Sequence, residues 1–449
     1  MNSTIVAPAT PQGESAIAVI RLSGGKCAEI AQGAFGKKLQ PRRASFVKYV
    51  GVNGAPIDEC VAVFFKAPAS YTGEDSLEIS THGNPFIVKS LMEDLLRRGA
   101  RLAEHGEFTR RAFMNSKMDL SQAEAVALTI GARSQKALEA AQKQLSGELG
   151  RRVGAMSSKI MDALALAEAY IDFPEEELPQ EDKAAFEGAL AECGAKMRAL
   201  AETAKIAPLV NDGIDVVIAG APNAGKSSLL NALLGDERAI VSDIAGTTRD
   251  FIRERTNIGD YAVNLTDTAG LREGGDALES EGIRRARKKI TDADVCLLVI
   301  DAANPAVEGA AFDGARLSPE RAVVVLNKCD SVADTSALEK KFEGFCIAKI
   351  SCLKNDGIDA LKNKIIELVK KYRITAAADD ILVSARHADA LERAAGFLAE
   401  ALENSRHLAP AEITASGLRE ALSCLGEIVG KTDNEEILDR IFSKFCIGK

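Results

Sequence analysis

The nine cysteines, at 27, 60, 193, 296, 329, 346, 352, 424 and 446, form no CxxC pair and keep none of the spacings of a zinc site or disulfide framework. A reducing cytoplasm is therefore the expected compartment. The opening MNSTIVAPATPQG has neither a positive start nor an apolar core. Nowhere do about 18 apolar residues run together, so neither export nor a membrane span is expected. The four histidines, at 82, 105, 387 and 407, share no metal-ligand spacing such as HExxH, and ordinary hydrogen-bonded or exposed roles are expected of them. A basic surplus is missing as well: 56 Lys and Arg face 65 Asp and Glu, a formal charge of −9. That excludes a protein that holds nucleic acid only by a broad basic surface, because such binding neutralises many phosphates with Lys and Arg. Any nucleic-acid role must be local or shared with a partner.

What is present is the composition of an ordinary globular chain, 46% hydrophobic and 27% charged over 449 residues. That length exceeds what one core usually holds and points to about two to four domains. Residues 1–117 alternate short β-branched runs, such as 15–22 and 60–66, with one helical pattern at 87–98, the mark of an α+β domain. Residues 118–208 turn to Ala, Leu, Glu and Lys at helical spacing, for example Leu120, Ala123, Ala127 and Ile130. In 209–376, apolar runs at 214–219, 262–265, 295–300, 322–326 and 346–350 alternate with helical segments, which indicates a parallel α/β sheet. Helical spacing resumes in 377–449, at 381–405 and 416–429, and the last helix carries Thr432 and Glu435 at capping-box spacing. The α/β domain is thus inserted in a helical one. The short acidic run Glu175 to Glu177 reads as a solvated loop.

The strongest local signal is GAPNAGKS, 220–227, after an apolar run and before SSLLNALL. This is GxxxxGK[ST] in a strand, loop, helix context, where main-chain amides and a helix N-terminus converge on phosphate oxygens. Asn223, Ala224, Gly225, Lys226, Ser227 and Ser228 are the expected phosphate contacts. Lys226 meets the β and γ phosphates and acts with the catalytic groups, and the Ser227 hydroxyl binds Mg²⁺. The base is read downstream in NKCD, where Asn327, Lys328 and Asp330 end another apolar run. An Asp carboxylate can accept from guanine N1 and N2, a donor pair that adenine lacks. GTP is the expected nucleotide, with Ser351, Cys352 and Leu353 as a further base-contacting loop.

Two more segments complete a switch. Asp267, Thr268, Ala269 and Gly270 can hold Mg²⁺ through water and report the γ-phosphate. Gly246, Thr247 and Thr248, followed by Arg249 and Asp250, lie in a loop able to close over the nucleotide, with Thr248 as a second hydroxyl on Mg²⁺. Many small GTPases place Gln after DxxG to orient water; this chain has Leu271. The Gly-rich acidic stretch beyond it offers Glu273, Glu279 and Glu281 as candidates, and spacing does not choose among them.

GxPNAGKSSLLN, DIAGTTRD, DTAGLRE, NKxD, the internal IDFPEEE and the terminal FCIGK together resemble the MnmE (TrmE) family of tRNA wobble-uridine modification GTPases, along the whole chain. The resemblance implies a multidomain α/β protein: an N-terminal α+β domain, a helical domain and an inserted Ras-like P-loop GTPase domain. It implies K⁺ activation, with Asn223 of the phosphate loop and Ser242, Ile244 and Thr247 of the loop before and within GTTRD as K⁺ ligands, Asp243 and Ala245 lying in that second loop. It singles out Glu279 as the catalytic glutamate that helps activate water. It implies a homodimer formed through the N-terminal domain, which binds a 5-formyl- or methylene-tetrahydrofolate, with Arg21, Glu78, Lys117 and Lys449 at the folate positions. An FAD-containing partner, MnmG (GidA), would share the work of adding an aminomethyl or carboxymethylaminomethyl group to tRNA.

Two residue-level readings stand beside the resemblance. Cys446 follows the stripe Ile437, Leu438, Ile441, Phe442 and Phe445, and packing alone makes it a small buried hydrophobe; the family makes it catalytically important. A prenylation signal is set aside because CIGK ends in Lys. The competing function is a GTP-dependent assembly factor or regulatory switch acting on ribosomes, which would need neither folate nor a terminal cysteine. An ATP-driven motor is disfavoured by NKCD.

Overall fold

The structure, a computed structural model, describes residues 3–172, 180–235, 253–267, 288–305, 317–372, 381–407, 409–431 and 435–449. The chain divides into two compact units, Met1–Ile130 with Lys143–Gly194 and Arg393–Lys449, and Gly131–Gln142 with Ala195–Glu392.

The first unit is built on strands β1 (Ile5–Pro8), β2 (Ser15–Ser23), β3 (Ser45–Val50), β4 (Pro56–Phe65), β5 (Ser76–Gly83) and β6 (Arg101–Leu102), in the spatial order β3-β4-β5-β2-β1-β6. Strand alternation sends Cys60, Ala62, Phe64, Leu77 and Ile79 to one face, where they are buried. Helices Cys27–Phe35 and Pro85–Arg97 cover that face with Ile30, Ala31, Ala34, Leu91 and Leu95. Asn84 starts the second helix by accepting from the Phe86 amide at 2.9 Å, with Pro85 in the first turn. The same alternation puts Arg21 of β2 opposite Glu78 of β5 on the other face. Periodicity at 87–98 marks only one of these helices. Cys27–Phe35 escapes it because Cys and Ala supply most of its buried stripe.

Helices Glu148–Asp172 and Ala411–Val429 pack through the buried stripes Val153, Met156, Ile160 and Leu418, Ala421, Leu425, and Arg419 meets Glu168 at 2.8 Å on the rim. The second of these helices starts earlier than the apolar spacing suggests, directly after Pro410. Residues 381–383 are buried and lie outside any helix, the Val383 amide donating to Thr203 Oγ1 at 3.2 Å. Helix Ala385–Arg406 follows. Thr432 lies outside the described residues, and the last helix is Glu435–Phe442. No helix among the described residues is long and apolar enough to cross a membrane.

The second unit holds β7 (Ile214–Gly220), β8 (Arg253–Ile258), β9 (Tyr261–Asp267), β10 (Val295–Asp301), β11 (Ala322–Asn327) and β12 (Cys346–Lys349), in the order β12-β11-β10-β7-β9-β8. All pairings are parallel except β8 with β9. The buried runs Val216 and Ile218, Leu297 and Val299, Val323 and Val325 share a core with Leu229, Leu361 and Ile365 of the flanking helices. Strand β8, RERTNI, has no apolar run: it is an edge strand, held by its hairpin with β9. Because β7 sits between β9 and β10, the strand order reverses there, and the carboxyl end of β7 is the switch point at which open α/β sheets take their ligands.

Candidate functional site

The loop that closes β7 runs 220–225 and enters helix Lys226–Leu234. Two of its glycines are obligatory for packing. A Cβ on Gly220 would lie 2.2 Å from Val299 O, and one on Gly225, whose φ is +95°, would lie 2.2 Å from Asn327 Nδ2. Asn223 also takes a left-handed φ, +62°. Lys226 is buried and its ammonium donates to Ala221 O at 2.8 Å. Ser227 Oγ donates to Asp267 Oδ2 at 3.0 Å, so a hydroxyl from the helix start and a carboxylate from the end of β9 stand side by side. Ser228, the third residue of the same helix, is exposed.

The NKCD residues come to this loop from the end of β11. Asn327 is buried and acts as a tie: its Nδ2 donates to Ala224 O at 3.0 Å and its Oδ1 accepts from the Cys352 amide at 3.3 Å. Lys328, at φ +61°, donates to Asn223 O at 3.1 Å and to Asp301 Oδ2 at 2.6 Å. Asp330 accepts from Ser351 Oγ at 2.6 Å, and this hydrogen bond above all holds its carboxyl below the usual carboxylate range. Ser351 in turn accepts from the Lys354 amide at 3.2 Å, while Leu353 is exposed. Phosphate loop, NKCD and the 351–353 loop therefore form one hydrogen-bonded rim. Asp301 belongs to it although no motif marks it; its signal was an acidic residue ending an apolar strand run. Ser242, Asp243, Ile244, Ala245, Gly246, Thr247, Thr248, Thr268, Ala269, Gly270, Glu273, Glu279 and Glu281 lie outside the described residues.

A second cluster occupies the first unit. Arg21 and Glu78 pair at 2.8 Å, and the guanidinium lies 5.7 Å from the Tyr71 ring centre and 6.0 Å from that of Phe108. The C-terminal residues dock beside it. Phe445 O meets His105 Nδ1 at 2.7 Å, Ile447 bridges to His105, and Lys449 O accepts from the Phe108 amide at 3.2 Å. Gly448, at φ +98°, lets the chain lie against β1, where a Cβ would stand 2.2 Å from Pro8 O. Burial, then the charge of Arg21, push the Lys449 ammonium below the ordinary lysine range, with Glu78 opposing. Lys117 does not join the ion pair; it donates to Pro68 O at 3.1 Å and its stem lies against Gly73, so it holds the loop that carries Tyr71.

Cys446 departs from the packing expectation. Leu438, Phe442 and Phe445 are buried with Leu120 and Ala123, but Cys446 is exposed, because the helix ends at Phe442 and the chain turns to bridge with His105. Among the described residues of the unit, a deeply buried charge carries no motif in the sequence. Arg111 is 1% exposed and meets Glu74 and Glu107 at 2.8 Å each, with Ser3 O at 2.9 Å. Buried charge persists only when paired and hydrogen-bonded, so the Glu of TGED serves the frame of this cluster. The i,i+4 spacing of Glu107 and Arg111 was its only local sign. Of the histidines, His82 pairs with Asp58 at 2.8 Å, His387 is fully buried and His407 meets Glu403 O at 2.9 Å.

The family model described as GTP-binding protein TrmE N-terminus matches residues 4–117, and that of the MnmE helical domain matches residues 120–446. The chain belongs to the MnmE family. A tRNA modification GTPase MnmE of Opitutus terrae is 44% identical over 449 residues, covering 100% of this chain and 99% of the relative. Those of Aquifex aeolicus and Akkermansia muciniphila are each 42% identical, over 100% of both chains and 99% of both chains respectively. This MnmE-family chain is a GTP hydrolase, and its GxxxxGK[ST] loop stands at the switch point of the second unit's sheet.

Proposed function

We propose that this chain is a Mg²⁺-dependent, K⁺-activated GTPase of the cytoplasm that works as a homodimer with the FAD-containing MnmG (GidA). Together they add an aminomethyl or carboxymethylaminomethyl group to C5 of the wobble uridine of tRNA, using a one-carbon unit from a tetrahydrofolate derivative. The observation that carries this reading is the terminal Cys446 to Lys449 segment docked beside the Arg21–Glu78 pair, in the same chain as a guanine-nucleotide site. A GTP-dependent switch would need only the latter.

The residues suit the groups assigned to them. Ser227 and Asp267 offer hydroxyl and carboxylate oxygens, the hard donors that Mg²⁺ prefers. Arg21 and Lys449 with one carboxylate suit a folate, whose glutamate is anionic and whose pterin presents donors to Glu78. Of the K⁺ ligands Asn223, Ser242, Ile244 and Thr247, Asn223 alone is among the described residues. Bound Mg²⁺ and K⁺ supply positive charge beside the β and γ phosphates, where negative charge develops during hydrolysis. Lys226 adds a fixed ammonium there, the 220–225 amides orient the phosphates, and Asp330 accepts from guanine. Glu279 helps to activate the attacking water. Glu279→Ala is expected to lower kcat about 10²-fold or more, the usual worth of a positioned acid or base, with GDP affinity unchanged in a binding titration. Full turnover would return the role to Glu273 or Glu281.

Nucleoside analysis of tRNA from cells lacking this chain tests the whole reading. The modified wobble uridine should vanish, return with the wild-type chain and stay absent with Cys446→Ser. Unaltered wobble uridine would replace this reading with the GTP-dependent switch or assembly factor.

A further inference from the structure

Asp301 ends β10, the strand between β7 and β11. Its register partner on one side is Asn327 of the guanine loop, and two residues earlier Val299 pairs with Gly220 of the phosphate loop. The two nucleotide-binding loops thus leave the sheet on either side of this residue. We propose that Asp301 is a positioning residue for the nucleotide site, its carboxylate holding the Lys328 ammonium against Asn223 O and so tying the guanine-reading loop to the phosphate loop. The inference deepens the nucleotide-site reading and rests on it.

Lys328 has a long flexible stem, its side chain is 41% exposed, and holding it in one place costs rotamer entropy. An acceptor pair supplies the hold: Asp301 Oδ2 at 2.6 Å and Asn223 O at 3.1 Å. The carboxylate is itself anchored, since Oδ1 accepts from the Ala303 amide at 2.9 Å and its side chain is only 17% exposed. Partial burial opposes its ionisation, but the Lys328 and Ala303 bonds outweigh it and keep the carboxyl below the usual range. The consequence lies in the phosphate loop. C=O and N–H of a trans peptide point opposite ways, so fixing Asn223 O and Ala224 O, the latter on Asn327 Nδ2 at 3.0 Å, sets the direction of the next two amides. One of these is Gly225, at the N-terminus of the phosphate-binding helix.

The test is a GDP titration of the full chain with Mg²⁺, together with GTP turnover. Asp301→Ala should weaken GDP binding about tenfold, which is about 1.4 kcal/mol, and raise KM for GTP with kcat changed far less. Lys328→Met should lose as much, and the double variant no more than either, because both remove one coupling. Asp301→Asn keeps an acceptor for the Ala303 amide and drops the charge, so it should not recover affinity. Wild-type affinity in Asp301→Ala, full recovery in Asp301→Asn, or additive losses would overturn the proposal while leaving the nucleotide site standing. A wild-type chain that fails to bind GDP would overturn both.

Discussion

Asp330→Asn is expected to weaken GDP and GTP binding by about 10² to 10⁴-fold and to admit xanthine nucleotides in their place. In the proposed base site the carboxylate accepts from guanine N1–H and N2–H, and a lost hydrogen bond to a charged group costs about 1.5–3 kcal/mol, so losing both gives that range. An amide can present N–H to the C2 carbonyl of xanthine, which reverses the preference. The side chain is pre-oriented for this, because Ser351 Oγ fixes Oδ1 at 2.6 Å and leaves the second oxygen to the base. Asn can still accept from Ser351, so the loop should keep its shape and the melting temperature should barely move. Competition titration with GDP and XDP reads the exchange directly. Undiminished GDP affinity would remove Asp330 from the base site.

Turnover in K⁺ is expected to exceed turnover in Na⁺ at equal ionic strength by about 10²-fold, the scale of one preorganised electrostatic contact to a developing charge. Asn223 should carry the difference. Its main-chain oxygen accepts from Lys328, and its side-chain oxygen is the proposed ligand atom. Asn223→Ala combines two losses, because a left-handed φ of +62° is poorly tolerated by Ala. Asn223→Gly keeps the backbone and removes only the ligand. Both variants should hydrolyse GTP equally in the two salts, with the Gly variant retaining GDP affinity better. Equal rates for the wild type in K⁺ and Na⁺ would defeat the cation assignment.

Much of the proposed nucleotide site was legible in the amino-acid order because its parts are local. A phosphate loop is a continuous segment between one strand and one helix, and NKCD is a continuous segment after another strand. Their chemistry depends on neighbours in sequence, and buried parallel strands such as 295–300 and 322–326 appear as unbroken apolar runs. Strand β8 was not legible, since a polar edge strand is defined by its partner β9 rather than by its own pattern. Cys446 shows the limit from the other side: its helical stripe argued for burial, and the turn after Phe442 exposed it.

By itself, then, the residue order determined the class of chain, the alternation of α+β, helical and α/β segments, the nucleotide and the motifs of the family. Only the tertiary structure decided that Asp301 and Lys328 join two loops, that Arg111 sits between Glu74 and Glu107, and that Gly448 lies against Pro8 of β1 while Lys449 meets Phe108. The reason is physical. Local patterns record which groups a segment must bury or hydrogen-bond within itself, whereas the partner of a long charged side chain is whichever group folding brings within about 3 Å of it, however far away it stands along the chain.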